Sequence, residues 1–169
     1  MNILETERLL IRQFTEEDAE FILELLNDPS FIQNIGDRNI RTLEDARAYV
    51  LNGPVTSYAK NGFGLSLVIL KDTGASIGMC GLIKRDTLDN VDIGYAFLPR
   101  YWSKGYAVES ALAMKAYAKD VVGLKKLVAI IDPANAGSIR LIEKSGLTLE
   151  KMIKLSEDDI ELKLFSTDL

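Results

Sequence analysis

The residues best placed for chemistry lie between Asp92 and Ala107, in the segment DIGYAFLPRYWSKGYA. A short apolar run is followed there by a loop that contains Gly105 and then by an alanine-rich stretch of high helix propensity. The first turn of a helix has backbone N–H groups without intrahelical acceptors, and the helix macrodipole is positive there. Such a junction can hold an anion, with a pyrophosphate on the N–H groups of Ser103 to Ala107 and Gly105 leaving room for its approach. The alternative is a plain turn, which a single glycine before a helix favours when nothing else matches.

A mostly antiparallel sheet is predicted to position this junction. Apolar segments of strand length occupy residues 65–70, 77–83 and 91–98, and short polar turns separate them. This pattern predicts a meander. A helix over residues 105–120 and a buried strand over 127–131 then make a strand, helix, parallel strand unit.

The flanking segments predict further elements. Residues 9–14 are predicted to form a first strand, and capping-box patterns at Thr15 and Thr42 start two short helices that end at Pro29 and Pro54. Another short helix is expected from Asn135 to Lys144, with Gly146 as its left-handed terminator, and a last strand over residues 160–165.

Composition excludes several classes of protein. The 25 acidic and 20 basic residues give a formal charge of −5, which disfavours broad contact with nucleic acid. This charge suits a cationic substrate, although modest negative charge is also ordinary in soluble domains. One cysteine and no histidine exclude an intrachain disulfide and make a metal site unexpected. No apolar run approaches the roughly 18 to 20 residues of a membrane helix, and the opening residues do not resemble a leader. We therefore expect a cytoplasmic protein with a single domain, residues 1–169, that does not bind membranes.

Taken together, eight short motifs resemble the GNAT N-acetyltransferases, in particular the branch that includes ribosomal-protein N-terminal and spermidine acetyltransferases. The resemblance covers nearly the whole chain and rests on the order and spacing of these motifs. They are ETERLLIR (5–12), IG (77–78), GL (81–82), DIGY (92–95), YWSKGYA (101–107), DPAN (132–135), SIR (138–140) and EKSG (143–146). The fold that the resemblance implies is α/β (α+β), with a mixed, mostly antiparallel splayed sheet flanked by helices.

The resemblance also implies acetyl-CoA as co-substrate. In the family, the loop Gln/Arg-x-x-Gly-x-Gly/Ala holds the CoA pyrophosphate; Gly105 and Ala107 match it, whereas Trp102 stands at the Gln/Arg position. We expect Trp102 and Tyr101 to pack beneath the loop. The implied CoA-binding residues are Phe97, Leu98, Ser103, Lys104, Gly105, Tyr106, Ala107, Asn135 and Ser138.

Three of these residues receive specific roles by the same resemblance. The strand that ends at Phe97 is implied to splay from its neighbour, so that the Phe97 backbone N–H can donate to the thioester carbonyl as an oxyanion contact. Asn135 is implied to reach the pantetheine arm, although it is equally suited to cap a helix. Many members use a tyrosine to meet the departing thiolate, but Ile142 stands at that position, so Ser138 is the candidate substitute, with a plain helix-start serine as the alternative.

Amine attack on a thioester also needs a base, because most amines are protonated at neutral pH. Asp92 is the candidate, acting through ordered water; the alternatives are a solvated strand-end acid with no role, bulk water, Glu109 or Glu143. Cys80 is interpreted as a packed strand residue, since no histidine is present to activate it.

The predicted function is transfer of acetyl from acetyl-CoA to a primary amine, either a protein N-terminus or a small amine, by direct attack in a ternary complex. The alternative is a non-catalytic acyl-CoA sensor or interaction module of the same fold. Another kind of nucleotide-binding enzyme is disfavoured because neither a phosphate loop with Gly-Lys-Ser/Thr nor Gly-x-Gly-x-x-Gly is present. Residues 31–41 are expected to help shape the acceptor pocket without naming the acceptor, and the protein is expected to be a monomer or a homodimer.

Overall fold

The apolar segments assemble into one eight-stranded sheet with the order β1-β2-β3-β4-β5-β6-β8-β7. A computed structural model describes residues 1–169. Neighbouring strands are antiparallel except β5 and β6, which are parallel. The predicted fold class and meander are thus confirmed. The strands are β1 (Asn2–Glu5), β2 (Leu9–Gln13), β3 (Leu65–Leu70), β4 (Ser76–Ile83), β5 (Asp92–Phe97), β6 (Lys126–Ile131), β7 (Thr148–Ile153) and β8 (Leu162–Asp168).

Six α-helices flank the sheet, and local capping explains several of their ends. Thr42 forms a complete capping box at the start of α3, and Thr15 forms one at the 3₁₀ turn Glu16–Asp18 that leads into α1, each with aspartate as the reciprocal partner. Gly146 has φ +93° immediately after the last helix, as its predicted role as terminator requires. The helices are α1 (Ala19–Leu26), α2 (Pro29–Asn34), α3 (Leu43–Val50), α4 (Thr56–Asn61), α5 (Tyr106–Tyr117) and α6 (Ala136–Lys144).

The stop predicted at Asn27-Asp28-Pro29 is confirmed, because α1 ends at Leu26 and Asp28, before the proline, is extended with ψ 134°. Further helices nevertheless begin at or beyond both prolines. Asp28 caps a new helix in which Pro29 is the first residue, where a missing N–H costs nothing. Pro54 is buried inside a π-type turn over Leu51–Val55 that joins α3 to α4. Because this turn is wider than an α-turn, it accommodates the proline ring. The predicted pair of early helices is therefore wrong, and four are present.

Two strands were not predicted, and a third is displaced. β1 is an edge strand paired only to β2, and every residue of β7 except Ile153 is exposed, so neither has the alternation that marks a half-buried strand. The final strand occupies Leu162–Asp168 instead of residues 160–165. Its register is set by antiparallel pairing with both β6 and β7.

The sheet carries a hydrophobic cluster on each face. One cluster packs α5 and α6 against side chains that include Ile93 and Phe97. The other packs α1, α2 and α3 against side chains that include Met79 and Leu98. The end of β5 therefore contacts both helical layers. None of the helices has the length and apolar composition that crossing a bilayer requires.

Candidate active site

A gap opens between β5 and β6 beyond their first residues. The two strands have one paired position, Asp92 opposite Val128, and the Val128 N–H donates to Val91 O over 3.1 Å. On the other edge of β5, the Leu98 N–H donates to Ile77 O over 3.0 Å. Since hydrogen-bonding residues alternate along an antiparallel pair, the N–H and C=O groups of Tyr95 and Phe97 point away from β4 and into the gap.

The loop at the mouth of this gap presents a run of free backbone donors. The backbone N–H groups from Ser103 to Val108 donate to no group of the protein, whereas Glu109 N–H donates to Gly105 O over 3.0 Å. Gly105 is the N-cap of α5 and has φ +84°, and Ser103 also has a positive φ, 61°. Six consecutive donors at the positive end of a twelve-residue helix fit the pyrophosphate of CoA.

Trp102 does not pack beneath this loop as expected. Its side chain is 48% exposed, and its indole N–H donates to the Phe97 carbonyl over 2.8 Å. Phe97 O points into the gap, where β6 offers it no backbone donor. The Trp102 indole supplies that donor, and this hydrogen bond holds the side chain away from the position expected for it. Tyr101 does pack as predicted, against both clusters.

Ser138 lies across the gap beside a tyrosine that the sequence analysis did not select. The Tyr95 hydroxyl is 2.7 Å from Ser138 Oγ and 3.3 Å from Ser138 O. Burial raises the pKa of Tyr95 to about 12, against a smaller lowering by the hydrogen bond with Ser138. The phenol is therefore protonated at every pH at which the protein would work. The spacing of 43 residues between the two gave no sequence signal, because the pair meets only through the strand-to-helix packing.

The other two residues of this helix behave as the sequence suggested. Asn135 caps α6, since its Oδ1 accepts from the Ser138 N–H over 3.2 Å, and its Nδ2 donates to no group of the protein. Ile142 is fully buried in the cluster on that face. Because this residue is a buried isoleucine, no tyrosine hydroxyl reaches the gap from the position that many family members use.

Asp92 is not a solvated strand-end acid. It is 2% exposed, its Oδ2 accepts from Arg85 Nε over 3.3 Å, and its buried Oδ1 accepts no hydrogen bond from the protein. Burial raises its pKa to about 6, although Arg85 acts to lower it. By strand alternation Asp92 lies on the same face as Ala96, which packs with the α1 to α3 layer.

The remaining candidate groups are less suited to proton transfer. Glu109 is held by Arg8 and Thr6, with the Arg8 Nε 2.7 Å from its Oε1, and Glu143 is exposed on α6. Cys80 is fully buried, and burial raises its pKa to about 12, so it is a packed thiol as predicted.

Comparison with known proteins places this geometry in a family. Residues 8–148 match the model of the acetyltransferase (GNAT) domain. The chain is 32% identical over 149 residues to the uncharacterized N-acetyltransferase YnaD of Bacillus subtilis, covering 88% of this chain and 84% of YnaD. Among solved structures, a GNAT-family acetyltransferase from Bacillus anthracis has a TM-score of 0.81 and 28% identity, covering 99% of this chain and 98% of its own.

A third similarity supports the fold alone. The ribosomal α-N-protein acetyltransferase RimL, solved in complex with coenzyme A, has a TM-score of 0.86 at 16% identity, and the alignment covers 100% of this chain and 98% of RimL. The family model, by contrast, spans far more than half of the chain. The chain therefore belongs to the GNAT acetyltransferase family and is an acetyl-CoA-dependent N-acetyltransferase.

Proposed function

We propose that the protein transfers acetyl from acetyl-CoA to a primary amine, either a protein N-terminus or a small amine, by direct attack in a ternary complex. One observation carries the proposal: six free backbone donors, from Ser103 to Val108, stand at the mouth of a gap into which the Phe97 N–H points. The donors suit the pyrophosphate, and the gap suits an extended pantetheine arm.

The gap supplies the first catalytic contribution, which is positioning. The Phe97 N–H is oriented toward the thioester carbonyl, where negative charge develops as the amine attacks. The Trp102 indole N–H donates a hydrogen bond to the Phe97 carbonyl. The negative end of this carbonyl dipole is therefore already paired when the thioester binds beside it. In this arrangement Asn135 borders the arm, and its Nδ2 is available to the carbonyls of the arm. Leu98, also expected to bind CoA, has its N–H on Ile77 O and its side chain buried in the α1 to α3 cluster, so neither group is free for the arm.

Ser138 and Tyr95 supply the second contribution. When the C–S bond breaks, the leaving sulfur gains negative charge, and the Ser138 hydroxyl donates a hydrogen bond to it. Tyr95 has the acceptors Ser138 Oγ and Ser138 O, and the nearer one is Oγ. If Tyr95 donates to Oγ, the Ser138 hydrogen is free to face the sulfur. Tyr95 is thus a positioning residue for Ser138.

Asp92 is proposed to supply the third contribution, acceptance of the amine proton. Five residues of strand separate it from Phe97, which is about 17 Å at the usual rise. Direct contact is therefore impossible, and the proton must pass along ordered waters that end at Asp92 Oδ1. A pKa of about 6 leaves the carboxylate ionised at neutral pH while keeping it basic enough to accept.

The acceptor is proposed to enter from the layer of α1, α2 and α3. Phe31 and Ile40 belong to the same hydrophobic cluster as Leu98, so they lie on the face of the sheet that the α1 to α3 layer covers. Residues 15–50 contain nine acidic and three basic side chains, which gives this layer slightly more negative charge than the whole chain. Such a field favours a cationic amine over a neutral or acidic one.

The proposed function is tested with a panel of polyamines, amino acids, aminoglycosides and basic N-terminal peptides, each incubated with acetyl-CoA while free thiol is measured. We expect at least one cationic amine to give amine-dependent thiol release. Coenzyme A binding without turnover across the panel would instead support the non-catalytic sensor.

The Ser138 and Tyr95 pair gives a sharper prediction. Ser138→Ala is expected to lower kcat roughly ten-fold to a hundred-fold with little change in KM for acetyl-CoA, because its hydrogen bond forms only as the thiolate departs. Tyr95→Phe should have a smaller effect in the same direction, and the double variant should be no slower than Ser138→Ala alone.

The ultraviolet absorbance of enzyme-bound coenzyme A thiolate provides the second measurement. Both variants should raise the pKa of the bound thiol relative to the wild-type complex. An unchanged thiol pKa, or kcat within a factor of about two of wild type, would make Ser138 a structural serine.

A further inference from the structure

Arg8 is the residue outside the gap that contacts the phosphate-binding loop most extensively. Its Nη1 donates to Lys104 O over 3.0 Å, and its guanidinium carbon lies 4.4 Å from the centre of the Tyr106 ring. A Cβ on Gly105 would lie 3.2 Å from Arg8 Nη2. One side chain, directly before β2, therefore contacts Lys104 and Tyr106, the residues on either side of Gly105.

The same arginine neutralises a carboxylate in the first turn of α5. Arg8 Nε donates to Glu109 Oε1 over 2.7 Å, the Arg8 backbone N–H donates to Oε2 over 3.1 Å, and the Thr6 hydroxyl donates to Oε2. Burial acts to raise the pKa of Glu109, but these hydrogen bonds outweigh it and hold the pKa below its ordinary value. Glu109 is therefore an anion at neutral pH.

An anion at this position conflicts with pyrophosphate binding unless it is compensated. Glu109 lies one residue beyond the six free N–H donors, within the turn whose positive potential attracts phosphate. A bare carboxylate there would cancel that potential and repel the ligand. In the free protein, the Glu109 carboxylate stabilises the start of α5, because a negative charge there interacts favourably with the helix dipole. The same charge would weaken the binding of pyrophosphate.

We propose that Arg8 is a positioning residue of the CoA site, which makes the start of α5 receptive to pyrophosphate by neutralising Glu109 and by holding Lys104 and Tyr106. This inference rests on the proposed use of the Ser103 to Val108 donors. It assigns the N-terminal Thr6 to Arg8 segment, about 100 residues away in sequence, to the binding of the co-substrate.

A purely stabilising role does not account for this geometry. The Arg8 side chain is 41% exposed, and ion pairs at such exposure contribute little to folding. Arg8 nevertheless donates from Nε to Glu109 and from Nη1 to Lys104 O, and its guanidinium lies over the Tyr106 ring. The consequence of removing it should therefore appear in ligand affinity more than in stability.

The test is calorimetric titration of coenzyme A into four variants: Arg8→Met, Arg8→Lys, Glu109→Gln and the double variant Arg8→Met/Glu109→Gln. We expect Arg8→Met to weaken Kd roughly ten-fold or more, and Arg8→Lys to fall between it and wild type, because lysine keeps the charge without the planar fork. The double variant should bind more tightly than Arg8→Met, since the uncompensated carboxylate is gone.

Lys126→Met, which removes the exposed Lys126–Glu150 pair on β6 and β7, is the matched control and should leave Kd unchanged.

Acetyl-pantetheine, which lacks the pyrophosphate, separates this role from a general loss of structure. Turnover of acetyl-pantetheine should be the same in wild type and Arg8→Met, while KM for acetyl-CoA rises in the variant. The proposal is overturned if Arg8→Met binds coenzyme A within two-fold of wild type, if the double variant is no better than Arg8→Met, or if both thioesters suffer equally. Absence of coenzyme A binding by the wild-type protein is a different result, because it would remove the proposed function itself.

Discussion

Gly105→Glu is expected to weaken coenzyme A binding by about a hundred-fold or more. Three causes act together. Gly105 has φ +84°, a conformation that L-residues adopt only under strain. A side chain there would meet Arg8 Nη2 at 3.2 Å from its Cβ. The added carboxylate would also place negative charge among the donors that the pyrophosphate needs. Calorimetry on the folded variant measures the result.

Gly123→Glu is the matched control for this substitution. Gly123 has φ +82° after α5, and an added Cβ there would have nothing within 4 Å. It therefore carries the same backbone strain without the steric and electrostatic conflict. Both variants should lose similar thermal stability, but only Gly105→Glu should lose affinity. Normal affinity in a folded Gly105→Glu protein would remove the phosphate site from the Ser103 to Val108 loop.

The segment from β5 to α5 could be predicted because the local sequence there favours the same strand, turn and helix that the tertiary packing requires. The run from β5 through Gly105 to α5 combines an apolar strand, a glycine and a helix-forming stretch, each of which specifies its structure without distant contacts. The edges were not predictable for the opposite reason. β7 is held by pairing to β8 alone, and its exposed side chains carry no periodic pattern.

Within the candidate site, the limit of prediction is the partner of each residue. Asp92 could be chosen as an acid at a strand start, but its burial is a result of tertiary packing and could not be deduced from its neighbours in sequence. Tyr95 and Arg8 were missed because their partners, Ser138 and Glu109, are 43 and 101 residues away. Side-chain pairs between distant elements leave no trace in a single sequence.

The burial of Asp92 has a consequence for stability as well as for catalysis. Its pKa is about 6 in the folded protein against 3.8 when exposed. Between these two values the unfolded chain releases a proton that the folded chain retains, so the free energy of unfolding falls as pH rises. The whole loss, at most about 3 kcal/mol, is present above about pH 6 and absent below about pH 4.

Asp92→Asn removes this loss because the amide does not ionise. We expect the variant to gain stability relative to wild type as pH rises. Its free energy of unfolding minus that of wild type should increase by up to about 3 kcal/mol between about pH 4 and about pH 8. Comparing two pH values cancels any constant packing cost of the amide. Denaturant unfolding at both pH values measures it, and a difference that does not change with pH would contradict the raised pKa.

The same substitution should slow acetyl transfer while leaving coenzyme A affinity unchanged. In wild type, kcat/KM should rise with pH as Asp92 ionises near its pKa of about 6, and rise again as the amine loses its proton. Asp92→Asn should lose the first rise and keep the second, so its activity recovers partly at high pH. Glu143→Gln, which changes an exposed acid on α6, is the control and should retain both rises. If Asp92→Asn matches wild type across the whole range, the amine proton leaves through bulk water, and the buried carboxylate has no part in the chemistry.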